Sequence, residues 1–321
     1  MMNIKEVRNE LLNEKYYDID HPSGLKILVM PKENYSSTYA IFATKYGSID
    51  TMIQMSDGSF KEIPEGTAHF LEHKLFESED LDAFERFAKT GASANAYTSF
   101  ERTGYLFSCS ANFKKNLEIL LDFVQNPYFT QATVEKEQGI IGQEIDMYKD
   151  APDWEVMFNC LRTMYHNLPV RIDIAGTQES IAQITAKTLY GCYDNFYNLH
   201  NMVLAVAGNA DVDEIVEVAD KVLKPVEGKM AQRKVIDEPE EVIDSYIEEK
   251  LSVATPQFMF GFKESWDTPE RTTKEEISME ILLDMISGQS SELYKRLFDG
   301  KLINNSFGFE YFTGFGYSCV L

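Results

Sequence analysis

The feature that most constrains this chain is the pentapeptide His69-Phe70-Leu71-Glu72-His73. In a helix, residues four apart lie one turn apart on the same face, so both imidazoles can reach a single ion. Glu72 projects close beside that face. Two histidines and a carboxylate in the order H-x-x-E-H are the inverted-zinc signature. The motif therefore predicts a helix that holds a catalytic zinc ion, with a base beside it.

A solvated helix face is the alternative interpretation of this motif. The chain has only five histidines in 321 residues, so a chance match to the pattern is rare. The flanking residues Phe70, Leu71, Leu75 and Phe76 are apolar, which predicts a buried helix. Because buried histidine and glutamate side chains need partners, burial favours the metal site.

A hydrolytic zinc site usually takes a third protein ligand and leaves one position for water. His166 and His200 are candidates, but each lies beside an asparagine in a polar context. Glu137 and Glu144 are seven residues apart, two turns along one helical face, with isoleucines around them. Carboxylates in such surroundings are costly unless they are paired or bind a metal. Two exposed glutamates remain the alternative at this point.

Composition restricts the classes of function. With 44% hydrophobic and 26% charged residues, the chain is typical of a folded protein. No apolar run approaches the ~18 residues of a membrane span and no leader opens the chain, so a cytoplasmic location is the default expectation. The net charge of −22 argues against nucleic acid as a partner. Four scattered cysteines form no CxxC pair, so no disulfide framework or cysteine-ligated zinc is expected.

The order of predicted elements indicates an α+β fold, because strands and helices are segregated rather than strictly alternating. We predict a catalytic domain at 1–225, a polar linker at 226–250 and a partial second domain at 251–321. Within these, the spacing of apolar residues predicts a short amphipathic helix over 3–16 and a strand over 252–262.

Several further stretches are distinctive. They are Gly47-Ser48, Gly66-Thr67-Ala68 before the pentapeptide, Asn95-Ala96-Tyr97-Thr98 with Thr103-Gly104-Tyr105, the glutamates around Ile140-Ile141, Gly176-Thr177, and Asn201-Met202-Val203-Leu204 with Gly208-Asn209. In these the chain resembles the pitrilysin/insulinase family of inverted-zinc metallopeptidases, which includes the mitochondrial processing peptidases. The resemblance covers 20–225 strongly and 250–310 more weakly. It implies repeated units of a sheet with helices, the second unit being incomplete in this chain.

The resemblance also implies roles for single residues. The third zinc ligand of the family corresponds to Glu144, 71 residues after His73, and a supporting glutamate that orients a ligand or the base corresponds to Glu137. One zinc ion would then be held by His69, His73 and Glu144, with Glu72 as general base. The family's substrate-binding edge strand corresponds to Asn95 and Ala96, where a peptide would add as a β-strand.

One departure from the family pattern concerns partners. Family members carry an Arg and a Tyr seven residues apart in the second unit, and this pair binds the substrate carbonyl. Here Phe298 occupies the Arg position and Asn304 or Asn305 the Tyr position. We therefore expect a partner subunit that supplies the pair, as a heterodimer, or else a homodimer. Arg296 or Tyr311 acting within the same chain is the alternative.

The leading interpretation is a zinc-dependent endopeptidase subunit that hydrolyses peptides or unfolded segments, held as an added strand in a cavity closed by a second half. The alternative is a non-catalytic assembly or peptide-binding subunit of the same fold. The intact pentapeptide with Glu144 favours the enzyme, because a purely structural role does not require all four of these groups.

Overall fold

The computed structural model describes residues 2–55, 57–228, 230–265, 268 and 270–321. The strands, in chain order, are β1 (Asn3–Asn9), β2 (Glu14–Asp20), β3 (Lys26–Pro31), β4 (Thr38–Thr44), β5 (Met52–Gln54), β6 (Phe60–Glu62), β7 (Ser93–Thr98), β8 (Thr103–Cys109), β9 (Met202–Gly208), β10 (Phe262–Lys263), β11 (Tyr311–Gly314) and β12 (Tyr317–Val320). The helices are α1 (Thr67–Leu75), α2 (Ala83–Ala88), α3 (Phe113–Gln125), α4 (Gln131–Lys149), α5 (Pro152–Met164), α6 (Gln178–Ile181), α7 (Ala186–Phe196), α8 (Val212–Val222), α9 (Thr273–Ser287) and α10 (Glu292–Asp299).

The chain divides into two compact units. Unit 1 comprises Met1–Ile145 and Asp173–Lys234, and unit 2 comprises Asp146–Ile172 and Val235–Leu321. The sequence-based boundaries kept 146–172 with the first domain, whereas these residues cluster with the C-terminal part of the chain. Among the described residues, no helix has both the length and the apolar character that crossing a membrane requires.

A seven-stranded sheet forms the frame of unit 1, in the order β1-β2-β3-β9-β4-β8-β7. All neighbouring strands run antiparallel except β3 and β9, which are parallel. β7 therefore lies at one edge of the sheet. Central β4 pairs over its full length on both sides, and its buried side chains form part of the core with those of α1 and α3. This arrangement confirms the predicted α+β class.

Close backbone packing fixes where α1 begins. Gly66, before the first helical residue, has φ = 81°, a left-handed conformation that glycine adopts without strain. A Cβ at Gly66 would lie 2.3 Å from the carbonyl oxygen of Ala175. A Cβ at Gly176, which has φ = 76°, would likewise lie 2.7 Å from the carbonyl oxygen of Glu65. These two glycines let the loop at Ala175 contact the start of α1, so the helix has a defined position relative to the core.

The predicted helix over 3–16 is wrong. The segment forms β1, a turn and the start of β2, paired from Asn3 with Asp20 to Asn9 with Glu14. Leu11 and Leu12 made the spacing look helical, but they are 93% and 66% exposed in the turn. Asn13 closes that turn with φ = 50°. The segment forms strands because its backbone pairs along the sheet. The apolar residues at helical spacing have no core against which a helix face would be buried.

Unit 2 contains a three-stranded sheet in the order β10-β12-β11, together with α5, α9 and α10. The strand predicted over 252–262 is mostly absent from the described part of the chain, where only Phe262 and Lys263 pair with β12. The exposure of the side chains nevertheless alternates at the end of this segment. Phe258, Phe260 and Phe262 are exposed, while the residues between them are less so.

The polar segment after unit 1 is held by a carboxylate. Glu238 accepts hydrogen bonds from the backbone N–H groups of His166, Asn167 and Leu168 at 2.7–3.0 Å. It also pairs with the ammonium group of Lys263 at 2.7 Å, and its side chain is 9% exposed. Burial alone would raise the pKa of Glu238, but Lys263 and the three amides outweigh burial and lower it.

We expect Glu238→Gln to reduce the free energy of unfolding at pH 7 by about 2–4 kcal/mol, because a buried cation loses its counter-ion. A carboxyl group whose pKa is lower in the folded state stabilises the fold at pH values above its unfolded pKa of ~4.3. This contribution to the free energy of unfolding is lost as the pH falls through the folded-state pKa. The difference between wild type and variant should therefore shrink below about pH 4. Urea denaturation at several pH values measures this, with exposed Glu240→Gln as the control. If the difference in unfolding free energy between wild type and Glu238→Gln does not change with pH, the ionised carboxylate of Glu238 is not the source of the stabilisation.

Candidate metal centre

Helix α1 brings the three polar residues of the pentapeptide into an apolar environment. Eight of its nine residues are buried, and only His73 is more accessible. His69 is 8% exposed and Glu72 is 9% exposed. The rings of His69 and His73 lie edge to face, with their centroids 4.6 Å apart. The one-turn spacing thus places both imidazoles on the same side of the helix.

Glu144 of α4 completes a cluster with the two histidines. Its Oε1 lies 3.6 Å from Nε2 of His69, and its Oε2 lies 3.5 Å from Nε2 of His73. One ligand atom from each of the three residues lies within 4.8 Å of the others. This is the one His/Cys/Asp/Glu group of metal-binding geometry found in the described part of the chain.

The donor set fits a zinc ion. Nδ1 of His73 lies 3.0 Å from Oε1 of Glu137, and in the neutral form of the ring Nδ1–H donates to this oxygen while Nε2 carries the lone pair. That lone pair faces an oxygen of Glu144, and two facing acceptors repel unless a cation or a proton lies between them. Ligands of a tetrahedral zinc ion, at bond lengths of ~2.0–2.1 Å, are roughly 3.3 Å apart. The observed nitrogen–oxygen separations are close to that value.

The electrostatics of the cluster also favour a cation. Burial lowers the pKa of His69 to about 3, and the nearby charge of His73 adds to this, so His69 is neutral at pH 7. Burial disfavours charge on His73 as well, but the hydrogen bond to Glu137 and the carboxylates of Glu72 and Glu144 raise its pKa. Three carboxylates beside two imidazoles therefore favour a divalent cation at this position.

Glu72 lies beside this cluster and has a partner of its own. The hydroxyl of Thr98, in β7, donates to Oε2 of Glu72 at 2.7 Å. Burial raises the pKa of Glu72, the Thr98 hydrogen bond and the charge of His73 oppose this, and Glu144 adds to it. A raised pKa in a carboxyl group next to a metal cluster is characteristic of a general base.

β7 presents a free edge next to α1. Ser99 N–H donates to the carbonyl of Arg102 at 2.8 Å, so this pair is hydrogen bonded across the hairpin. Because hydrogen-bonded and non-hydrogen-bonded pairs alternate in an antiparallel ladder, the backbone groups of Ala96 and Thr98 point away from β8. The N–H of Ala96 accordingly donates to the side chain of Asn95 at 2.9 Å. No strand covers this edge in the parts of the chain that the structure describes.

The structure thus brings six of the seven predicted site residues into two neighbouring groups. His69, Glu72, His73, Glu137 and Glu144 surround the candidate metal position, and Ala96 presents its backbone at the edge of β7. The side chain of Asn95 is exposed. The other histidines that the sequence offered are elsewhere: His166 binds the carbonyl of Glu241, and the His200 ring packs over Gly24.

One residue at the site was not predicted from the sequence. Thr98 belongs to the Asn95–Thr98 stretch that carried the family resemblance, yet its role was not anticipated. Its contact with Glu72 joins residues 26 positions apart. The alternation along β7 is the signal that points to Thr98. Ala94, Ala96 and Thr98 are half-buried on one face of the strand, and the residues between them are exposed.

We expect Glu137→Gln to weaken zinc binding by about 10- to 100-fold, because it removes the charge that orients His73. Competition with a chromogenic zinc chelator measures the affinity. Glu135→Gln is the matched control, since Glu135 is exposed on the same helix and accepts a hydrogen bond from Gln131, away from the cluster. Equal affinities for the two variants would show that Glu137 does not support the site.

Two family models together match most of the chain. Residues 48–178 match the model described as insulinase (peptidase family M16), and residues 183–320 match the model described as the M16 inactive domain. The chain belongs to the insulinase (M16) peptidase family, as its sequence motifs predicted. The first match includes His69, Glu72, His73 and Glu144.

Individual relatives agree with this assignment. The chain is 44% identical to the protein YmfH of Bacillus subtilis, described as an uncharacterised zinc protease, over 99% of this chain and 76% of that protein. It is 36% identical to the mitochondrial-processing peptidase subunit beta of Bos taurus, over 48% of this chain and only 32% of that protein. The crystal structure of an M16-like peptidase from Alicyclobacillus acidocaldarius superposes with a TM-score of 0.90 at 38% identity, covering 99% of this chain and 73% of that one.

Proposed function

We propose that the protein is a zinc-dependent endopeptidase subunit. The observation that carries the proposal is the convergence of His69, His73 and Glu144 on one point, with the buried carboxylate of Glu72 beside it. Relatives described as zinc proteases support the same reaction class. His69, His73 and Glu144 would hold one zinc ion, and Glu137 would keep the His73 ring in the tautomer that ligates through Nε2.

Zinc at this position would polarise the scissile carbonyl and make a nearby water more acidic. The remaining steps belong to the protein. Glu72 accepts a proton from the attacking water and passes it to the nitrogen of the leaving amine as the C–N bond breaks. One carboxylate therefore serves first as base and then as acid. Glu72 itself is only 9% exposed, which limits the access of other water molecules to its carboxylate.

The free edge of β7 suits an extended peptide. Its outward-facing N–H and C=O groups at Ala96 would pair with the backbone of the substrate, which confers affinity without demanding a particular sequence. The exposed Asn95 side chain would release the N–H of Ala96 when a peptide takes its place. Unfolded segments and peptides are thus the substrate class, because a folded protein offers few unpaired strands.

We propose further that a second subunit completes the site. The positions that correspond to the family's Arg and Tyr hold Phe298 and Asn305, neither of which donates a charged hydrogen bond. Tyr311 is a poor substitute, because its hydroxyl donates to Glu264 at 2.8 Å and contacts Ser318. The bovine relative is itself named as a subunit, which supports an assembly of two different chains.

Cleavage of an unstructured fluorogenic peptide library tests the proposal. We expect cleavage at internal peptide bonds, loss of activity with a zinc chelator, and recovery when zinc is restored. A non-catalytic assembly or peptide-binding subunit is the second candidate. Peptide binding without cleavage, with and without the partner subunit and at full zinc occupancy, would favour that candidate and reject the endopeptidase.

A further inference from the structure

The hydrogen bond between Thr98 and Glu72 links the sheet edge to the metal site. Thr98 is the last residue of β7, its backbone faces the open edge, and its hydroxyl points to Glu72. We propose that Thr98 is a positioning residue that fixes the Glu72 carboxylate relative to the bound peptide. This inference rests on the proposed peptidase function and adds to it a residue that nothing in the family comparisons assigns.

The Thr98 hydroxyl donates its hydrogen bond to Glu72. An ionised carboxylate only accepts hydrogen bonds, so Thr98 must be the donor to Glu72. The other nearby hydroxyl, that of Thr103, lies 3.5 Å from Thr98 and gives its own proton to the carbonyl of Tyr46 at 2.9 Å. The two threonine hydroxyls therefore do not compete for Glu72.

The support behind Thr98 is rigid. Thr103, its register partner on β8, is fully buried, and the hydroxyls of Tyr105 and Tyr197 meet at 2.8 Å in the same region. Because Oε2 of Glu72 is held by Thr98, Oε1 remains available to accept the proton of water. The strand that would bind the peptide thus also sets the direction of the base, and a small displacement of such a base is costly in rate.

A purely structural role is the alternative, in which Thr98 only satisfies a buried carboxylate. Three variants separate the two roles: Thr98→Val removes the hydroxyl and keeps the shape, Thr98→Ser keeps the hydroxyl, and Thr38→Val is the control. Thr38 is a buried threonine of β4 in the same sheet, and its hydroxyl donates to the carbonyl of Asn209 at 2.8 Å. It makes no contact with Glu72 that the structure records.

Peptide cleavage is measured with the partner subunit present, together with the zinc content and melting temperature of each variant. We expect Thr98→Val to lower kcat by about 10- to 100-fold with KM within about threefold, because the base and not the binding edge is affected. Thr98→Ser should recover most of kcat, and Thr38→Val should retain it. Zinc content should be the same in all four proteins.

Two results would overturn the inference while leaving the peptidase intact. The first is an unchanged kcat in Thr98→Val. The second is an equal loss of kcat in Thr98→Val and Thr98→Ser, which would show that the hydroxyl does not position Glu72. In the first of these cases, a rise in KM at constant kcat would assign Thr98 to binding instead of positioning. If the wild type itself cleaves no peptide, the proposed function fails, and positioning of a base by Thr98 fails with it.

Discussion

Replacing Glu72 with glutamine should abolish most hydrolysis while leaving the site assembled. A general base contributes about 10²–10⁴-fold to the rate, and we expect kcat to fall by that factor or more. The amide oxygen that Glu72→Gln introduces can still accept the Thr98 hydrogen bond, so the packing around α1 should be retained. Zinc stoichiometry and melting temperature should therefore match the wild type.

The control for this experiment is Glu79→Gln, which makes the same chemical change at an exposed position after α1. It should keep full activity. Single-turnover peptide cleavage separates the chemical step from product release, so the rate of bond breaking is compared directly. Residual activity of Glu72→Gln within about tenfold of wild type would remove Glu72 from the role of base.

Adding the partner subunit should increase peptide cleavage by about 10²–10³-fold, the contribution of one donor to the developing oxyanion. As water attacks the scissile carbonyl, negative charge grows on its oxygen, and in the proposed correspondence this chain has Phe298 and Asn305 at the positions of the family's Arg and Tyr. The proposed partner is an M16-family chain of the same genome that carries that pair. The isolated chain should be weakly active.

Three controls identify the source of the donor. A partner in which the Arg and Tyr are replaced should give no stimulation, whereas Arg296→Ala in this chain should leave the stimulated rate unchanged. If activity instead rises with the concentration of this chain alone, a homodimer supplies the group. Full turnover by the isolated monomer would contradict dependence on a second subunit.

The local part of the site could be predicted from the sequence. The pentapeptide needs only the period of an α-helix to place His69 and His73 on one face. Glu137 and Glu144 could be paired with it only through the family resemblance, because sequence spacing does not say which helices meet. The structure supplies that information in the distances of 3.0–3.6 Å between α1 and α4.

The structure differs from the sequence-based predictions where pairing between distant segments determines the local conformation. The apolar residues of 3–16 matched a helical period, yet Leu11 and Leu12 are exposed and the flanking residues pair as strands. Thr98 was missed for a similar reason. A threonine in a strand is an ordinary β-forming residue, and only the packing of β7 against α1 brings its hydroxyl to Glu72.

The measurement that tests the metal centre most directly is the zinc content of the purified protein and of Glu144→Gln, by elemental analysis after dialysis against a mild chelator. We predict about one zinc per chain for the wild type and for the exposed-site control Glu135→Gln, and little or none for Glu144→Gln, because two imidazoles alone hold zinc weakly. Full zinc occupancy in Glu144→Gln, or a wild type that binds none, would contradict the assignment of His69, His73 and Glu144 as the ligands.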